Sequence, residues 1–155
     1  MRLAYVQLAL GLFQADLAVK HEIEQLPEEH EERMLPGGFA GIRRLRNRGA
    51  IGGRGEGHMP RIVRLSGAVT AGVACLFLRE LAGPGRHMRK TGFALLLGGA
   101  LSNLYERCRK GYVVDYIRFH SPWKRLNRYV FNLSDFFILI GAVLIFLGGK
   151  GHSRR

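Results

Sequence analysis

Three aspartates stand in this chain, Asp16, Asp115 and Asp135, against nine glutamates. Most of the glutamates crowd into HEIEQLPEEHEE, beginning at His21, whereas each aspartate sits at the margin of an apolar segment. An ionisable side chain at the edge of an apolar span is destabilising unless something needs it, so it is read first as functional. Each also has a plain structural alternative: Asp16 as a helix-end residue, Asp115 as a strand or turn residue, Asp135 as an N-terminal helix charge favoured by the dipole. Two carboxylates held close cannot both ionise easily. One keeps its proton while the other stays charged, which supplies a general acid and a general base for activating water against an amide. Asp115 in GYVVDYIRF and Asp135 in FNLSD are the pair that could meet at one boundary.

Other chemistries find less support. Cys75 and Cys108 form no disulfide framework and no CxxC or Cys/His spacing, so free thiols and no structural metal are expected. His21, His30, His58, His87, His120 and His152 are scattered without ligand spacing and read as solvated loop residues. Ser102 and Ser134 lack a matched base, and GRGEG is too short for a phosphate loop. No cofactor is expected.

The elements that must position the aspartates follow from the apolar pattern. A length of 155 residues suits one domain, and 47% hydrophobic content beside a net charge of +12 fits a nucleic-acid binder or a membrane protein. Apolar segments over about 3–18, 62–82, 91–107 and 132–149 predict helices near the short end of the roughly 17–25 residues that span a bilayer. GAVTAGVACLFL and FFILIGAVLIFLGG have no charged face, and so small a chain cannot surround four such helices with protein; lipid is the simpler surround. The expected fold is a mainly α membrane protein: a four-transmembrane-helix bundle with a small extracytoplasmic β shelf, from about 35–60 and 111–119, in a single integral membrane domain over 1–155.

Details of that expectation are open to test. Arg64, Arg79 and Lys90 are expected to snorkel, and the glycines of GGA and SGAVTAG to pack helices closely. The first segment, lacking a small-x-small cleavage site, reads as an uncleaved span, and the acidic run after it as a solvated surface that frays or caps the helix. Trp123, Tyr116, Phe119 and Tyr129 read as an interfacial aromatic belt. Alternating spans bring Asp16, the 20–61 region, Asn103, Arg107, Asp115, Asn132 and Asp135 to one side. The short loop with Arg86, Arg89 and Lys90, and the tail with Lys150, Arg154 and Arg155, place the other side in the cytoplasm.

GGALSNLYERCRKGYVVDYIRF followed by FNLSD resembles the two C-terminal signature blocks of the lipoprotein signal peptidase (signal peptidase II) family. QADLAVK resembles its first block, with Asp16 and Lys20 in register, and RNRGAIGG its Asn-x-Gly-Ala block, with Asn47, Gly49 and Ala50; the likeness covers roughly Phe13 to Gly148. The resemblance implies an aspartic endopeptidase of the bacterial cytoplasmic membrane, multi-pass, with both chain ends cytoplasmic and the active site at the outer face. It implies removal of signal peptides from diacylglyceryl-modified prolipoproteins, by a cut before the lipidated cysteine. Asp115 and Asp135 are then the implied catalytic dyad. Asn103, Arg107 and Asn132 would orient the dyad and the substrate backbone, Asn47 and Gly49 would belong to the shelf, and Asp16, Lys20 and Val114 would support the site. Implied partners are prolipoproteins and membrane lipids, with no nucleic acid and a monomeric protein. The chain differs from the family's usual pattern at Glu106 (commonly aspartate), Ser102 (glycine), Ser134 (alanine) and Ile51 (an aromatic). Alternatives left open are a catalytically impaired paralogue that binds lipidated peptides and a soluble nucleic-acid binder with salt-sensitive affinity. A channel or transporter would want an internal repeat or broken helix pair, which the sequence lacks.

Overall fold

The computed structural model describes residues 2–27, 32–49 and 57–150. Ala50, Ile51, His30, His152, Arg154 and Arg155 lie outside the described residues. Four helices dominate: α1 (Arg2–Glu24), α2 (Met59–Ala82), α3 (His87–Lys110) and α4 (Leu133–Lys150). Four strands, β1 (Arg33–Met34), β2 (Ala40–Asn47), β3 (Val113–Phe119) and β4 (Val130–Phe131), form one antiparallel sheet in that order.

At 1.5 Å rise per residue the 24 residues of α2 reach about 36 Å, enough to cross a hydrocarbon layer of about 30 Å. Its most apolar stretch is only 11% buried within the protein, so its surround must be apolar. Among the described residues α2 alone is long and apolar enough to qualify unaided. Helices α1 and α3 carry Asp16, Lys20, Lys90 and Glu106 inside the bundle, which lowers their apolar content without exposing charge to lipid. The helices overrun the apolar segments that predict them. Helix α1 continues past Ala18 because Glu24 at its end is held by Tyr112 Oη at 2.7 Å and by Lys110, and α2 starts before Ile62 with Pro60 in its first turn.

Helix α3 is the axis of the bundle. Phe93, Ala94 and Leu97 on it pack with Ala9 of α1 and Phe77 and Leu81 of α2. Glycines set the approach of the backbones: a Cβ on Gly98 would stand 2.8 Å from Ala9 O, and one on Gly99 2.6 Å from Ser134 O. Gly92 and Gly141 face each other across α3 and α4 just as closely. This is close packing by small residues, as the GGA run predicts. In SGAVTAG the expectation fails: a Cβ on Gly67 or Gly72 would meet nothing within 4 Å, because α2 turns that face away from the bundle. Lys90 does not snorkel either; it is buried and donates to Gly83 O at 2.7 Å, closing the loop between α2 and α3.

Among the described residues of the acidic run, Glu22 is exposed as expected, whereas Glu24 and Glu32 are paired. Besides Glu24, Glu32 is taken up by His120 Nε2 at 2.6 Å and Arg118 at 3.5 Å, which ties the start of β1 to the end of β3. His21 lies within α1 and His87 opens α3, where its Nδ1 meets Tyr5 Oη at 2.6 Å, so these two histidines are exposed, as expected, but belong to helices rather than loops. In the sheet, β2 pairs with β3 from Ala40↔Phe119 to Asn47↔Val113, with a register shift between Ile42 and Leu45. Such bulges re-aim side chains near functional sites.

Candidate active site

Residues Val113 to Tyr116 of β3 are all buried, since the strand lies across the ends of α1 and α3. That placement puts Asp115 at 4% exposure. Asp135 arrives by a different local rule. Asn132 caps α4: its Oδ1 accepts Asp135 N–H at 3.0 Å, while Asp135 Oδ2 accepts Asn132 N–H at 3.0 Å. This reciprocal pair is a capping box, with Asp135 at the third helical position. Phe131 before the cap packs on Phe136 after it, ring centroids 6.2 Å apart, as a hydrophobic staple does. The helix-terminal reading of Asp135 therefore holds, and the same geometry fixes where its carboxylate stands.

Three asparagines hold the two carboxylates, and each has its amide orientation set by an unambiguous partner. Asn47 Oδ1 accepts Gly49 N–H at 2.9 Å, so its Nδ2 faces Asp115 Oδ2, also at 2.9 Å. Asn132 Oδ1 accepts a backbone N–H, so its Nδ2 faces Asp115 Oδ1 at 2.7 Å. Asn103 Oδ1 accepts from Lys20 Nζ at 2.8 Å, which leaves its Nδ2 toward Asp135 Oδ1 at 3.5 Å. Lysine can only donate and a backbone N–H can only donate, so none of the three amides can be turned round without loss. Asn132 Nδ2 also reaches Asn103 Oδ1 at 3.3 Å, joining the two halves of the site.

Below this layer lies a second buried cluster. Asp16 accepts from Ser102 Oγ at 2.5 Å, from Ser134 N–H at 3.2 Å and from the Ser134 hydroxyl, and pairs with Lys20 Nζ at 2.8 Å. With its oxygens so fully engaged, Asp16 is a joint between α1, α3 and α4. Lys20, wholly buried, also meets Glu106 Oε2 at 3.2 Å. Glu106 Oε2 accepts Val114 N–H at 3.0 Å and Oε1 takes Lys110 Nζ at 2.8 Å. Arg107 is half-buried and acts electrostatically on Asp115, Asp135 and Glu106; its Nε finds no hydrogen-bond partner among the described residues.

Asp115 is not an ordinary acid here. Burial pushes its carboxyl up from 3.8 to about 6; amide hydrogen bonds from Asn47 and Asn132 pull the other way, and the neighbouring Asp135 charge adds to the rise. Near neutrality it can both hold and release a proton, as acid–base chemistry needs.

The structure brings Asp16, Lys20, Asn47, Gly49, Asn103, Arg107, Val114, Asp115, Asn132 and Asp135 to one end of the bundle. Sequence reasoning passes over Ser102, Ser134 and Glu106 as site residues, though Ser102 and Glu106 stand four apart on one face of α3, as Asp16 and Lys20 do on α1. Tyr116 is not part of an interfacial belt: it is 3% exposed and its Oη accepts Leu133 N–H at 3.3 Å, at the start of α4. Trp123, by contrast, is 78% exposed.

The architecture is shared with solved proteins. A bacterial membrane enzyme determined by the in meso method superposes with a TM-score of 0.81 at 21% identity, over 98% of this chain and 92% of that one. A second bacterial membrane enzyme structure gives 0.73 at 22% identity, over 93% and 90% of the two chains. The shared fold is thus that of a multi-pass helical membrane protein with a small open sheet. Residues 8–149 match the family model described as Signal peptidase (SPase) II. The lipoprotein signal peptidase of Mesorhizobium japonicum is 35% identical over 150 residues, 91% of this chain and 82% of that protein. The lipoprotein signal peptidase of Brucella ovis is 46% identical over 91 residues, 58% of this chain and 54% of that one. The chain belongs to the signal peptidase II family, and its activity is that of an aspartic-type peptidase.

Proposed function

We propose that Asp115 and Asp135 are the catalytic dyad of this peptidase, and that its substrate is a diacylglyceryl-modified prolipoprotein cut immediately before the lipidated cysteine. The observation that carries the reading is Asn132, which donates from its side chain to Asp115 and from its backbone to Asp135, so one residue holds both carboxylates.

The ionised member of the pair takes a proton from water as the water oxygen attacks the scissile carbonyl carbon. The protonated member donates to the carbonyl oxygen, giving a neutral tetrahedral intermediate. Collapse breaks the C–N bond as the pair passes a proton to the leaving nitrogen and takes one back from a hydroxyl of the intermediate, releasing the cysteine amine and the signal-peptide carboxylic acid, which ionises in solvent, and leaving one proton on the pair. Asn47, Asn103 and Asn132 keep the carboxylates in place, and Arg107 supplies positive charge beside them. The active site faces the outer side of the bacterial cytoplasmic membrane, with both chain ends cytoplasmic. Arg86 in the α2–α3 loop and Arg89 in the first turn of α3, at the opposite end, support that orientation. Helix α4, 18 residues or about 27 Å, falls just short of the hydrocarbon thickness, which favours a dyad at the lipid boundary, where a signal-peptide helix ends. The protein acts as a monomer forming a single integral membrane domain.

The test offers purified protein in detergent a diacylglyceryl-modified prolipoprotein beside the unmodified precursor, with Asp115→Asn as control. A gel shift of the lipidated precursor alone, lost in the variant, is expected. Cleavage surviving in Asp115→Asn would remove the dyad; binding without product would mark an impaired paralogue.

A further inference from the structure

We infer that Glu106 is a positioning residue for both aspartates: its buried carboxylate grips the strand that carries Asp115 and, through Lys20, the amide that holds Asp135. The inference rests on the dyad reading above. On the first route Glu106 Oε2 accepts Val114 N–H at 3.0 Å, one residue before Asp115, and so sets where β3 enters the site. On the second, Glu106 pairs with Lys20 at 3.2 Å, Lys20 Nζ donates to Asn103 Oδ1 at 2.8 Å, and Asn103 Nδ2 turns to Asp135 Oδ1 at 3.5 Å. A wholly buried carboxylate with two lysine partners is held in one place, and its position is passed on through donors that cannot reverse.

Charge gives the role a signature that packing alone lacks. The ionised or ionisable groups around Glu106 are Lys20 and Asp16 on α1, Lys110 and Arg107 on its own helix and Asp115 on β3, with Glu24 beyond Lys110 and Asp135 beyond Asn103. Glu106→Gln keeps the volume and an oxygen for Val114 N–H but removes one negative charge, so Asp115 should release its proton more readily. Lys20→Met removes a positive charge and should do the opposite. Glu106→Asp keeps the charge but shortens the arm that reaches Val114.

The experiment measures cleavage against pH for these variants and, independently of turnover, the infrared carboxyl band of Asp115 in isotope-labelled protein, with Asp115→Asn as the blank. Glu106→Gln is expected to lower kcat about tenfold with KM changed less than about twofold, and to move the acid limb down by about half a pH unit to one unit. Lys20→Met should move the limb and the infrared titration upward. Glu106→Asp should lose turnover with the limb in place. Folded Glu106→Gln and Lys20→Met variants whose Asp115 band titrates where the wild type does would overturn the inference while leaving the dyad standing. Opposite displacements in a protein that never cleaves the precursor would uphold the positioning role and remove the dyad reading instead. Should Lys20→Met fail to fold, Glu106→Gln alone decides between displacement and none.

Discussion

Both ends of the helix bundle bury carboxylates, and Glu80 at one end and Asp115 at the other are met in opposite ways. At the α2–α3 loop, Glu80 is 7% exposed and gripped by Arg89 through two bonds of 3.0 and 3.3 Å, with Arg86 at 3.5 Å. At the sheet end, Asp115 is 4% exposed and hydrogen-bonded by two neutral amides, with a second carboxylate nearby and the charges of Lys20 and Arg107 acting on it electrostatically. Guanidinium groups neutralise a buried acid and leave it inert. Amides satisfy its hydrogen bonds but not its charge, so the proton remains in play. Two similarly buried acids thus differ in what faces them, and burial by itself does not mark a candidate catalytic acid.

The widest separation between the ends should appear in turnover. Asp135→Asn is expected to lower cleavage of lipidated precursor by about 10²–10⁴-fold with the fold retained, whereas Glu80→Gln should leave kcat within about twofold and lower stability by about 1–2 kcal/mol. Comparable activity losses at both ends would break the comparison.

Next comes a pH dependence. Because burial lifts the folded Asp115 above its unfolded value, the folded state binds the extra proton, and stability from this group is greatest below about pH 4 and declines as pH rises to about 6. The span from 3.8 to about 6 corresponds to about 3 kcal/mol. Thermal unfolding of Asp115→Asn should therefore gain on the wild type between pH 4 and pH 8 by up to that amount, while Glu80→Gln should show no such gain. A constant difference across pH would mean that Asp115 is not held uncomfortably as an anion.

Smaller effects test how the site end is braced. Gly99→Ala would press a Cβ to 2.6 Å from Ser134 O, against the first turn that carries Asp135, and is expected to cost about 1–3 kcal/mol and lower kcat measurably. Gly67→Ala, facing open space on α2, should stay within about 1 kcal/mol of the wild type and leave cleavage unchanged. Chemical denaturation in detergent beside the gel-shift assay checks both.

Much of this was legible in one dimension because the physics is local. An apolar run without a charged face calls for lipid, and Asn-Leu-Ser-Asp after Phe131 starts a helix whatever surrounds it, so the elements carrying Asp115 and Asp135 could be read directly. The resemblance to signal peptidase II rests on such contiguous blocks. What could not be read was pairing across distance. Ser102 and Ser134 look like unremarkable helix serines until the fold sets both on Asp16. Tyr116 looks like an interfacial aromatic until β3 is laid over the bundle, and Lys90 looks free to snorkel until the loop closes on it. The sequence by itself determined which residues could ionise and which segments would be helices, because charge and apolar periodicity belong to the chain. Only the tertiary structure decided which buried acid meets arginine and which meets amides, because those partners lie on other elements and proton affinity depends on them.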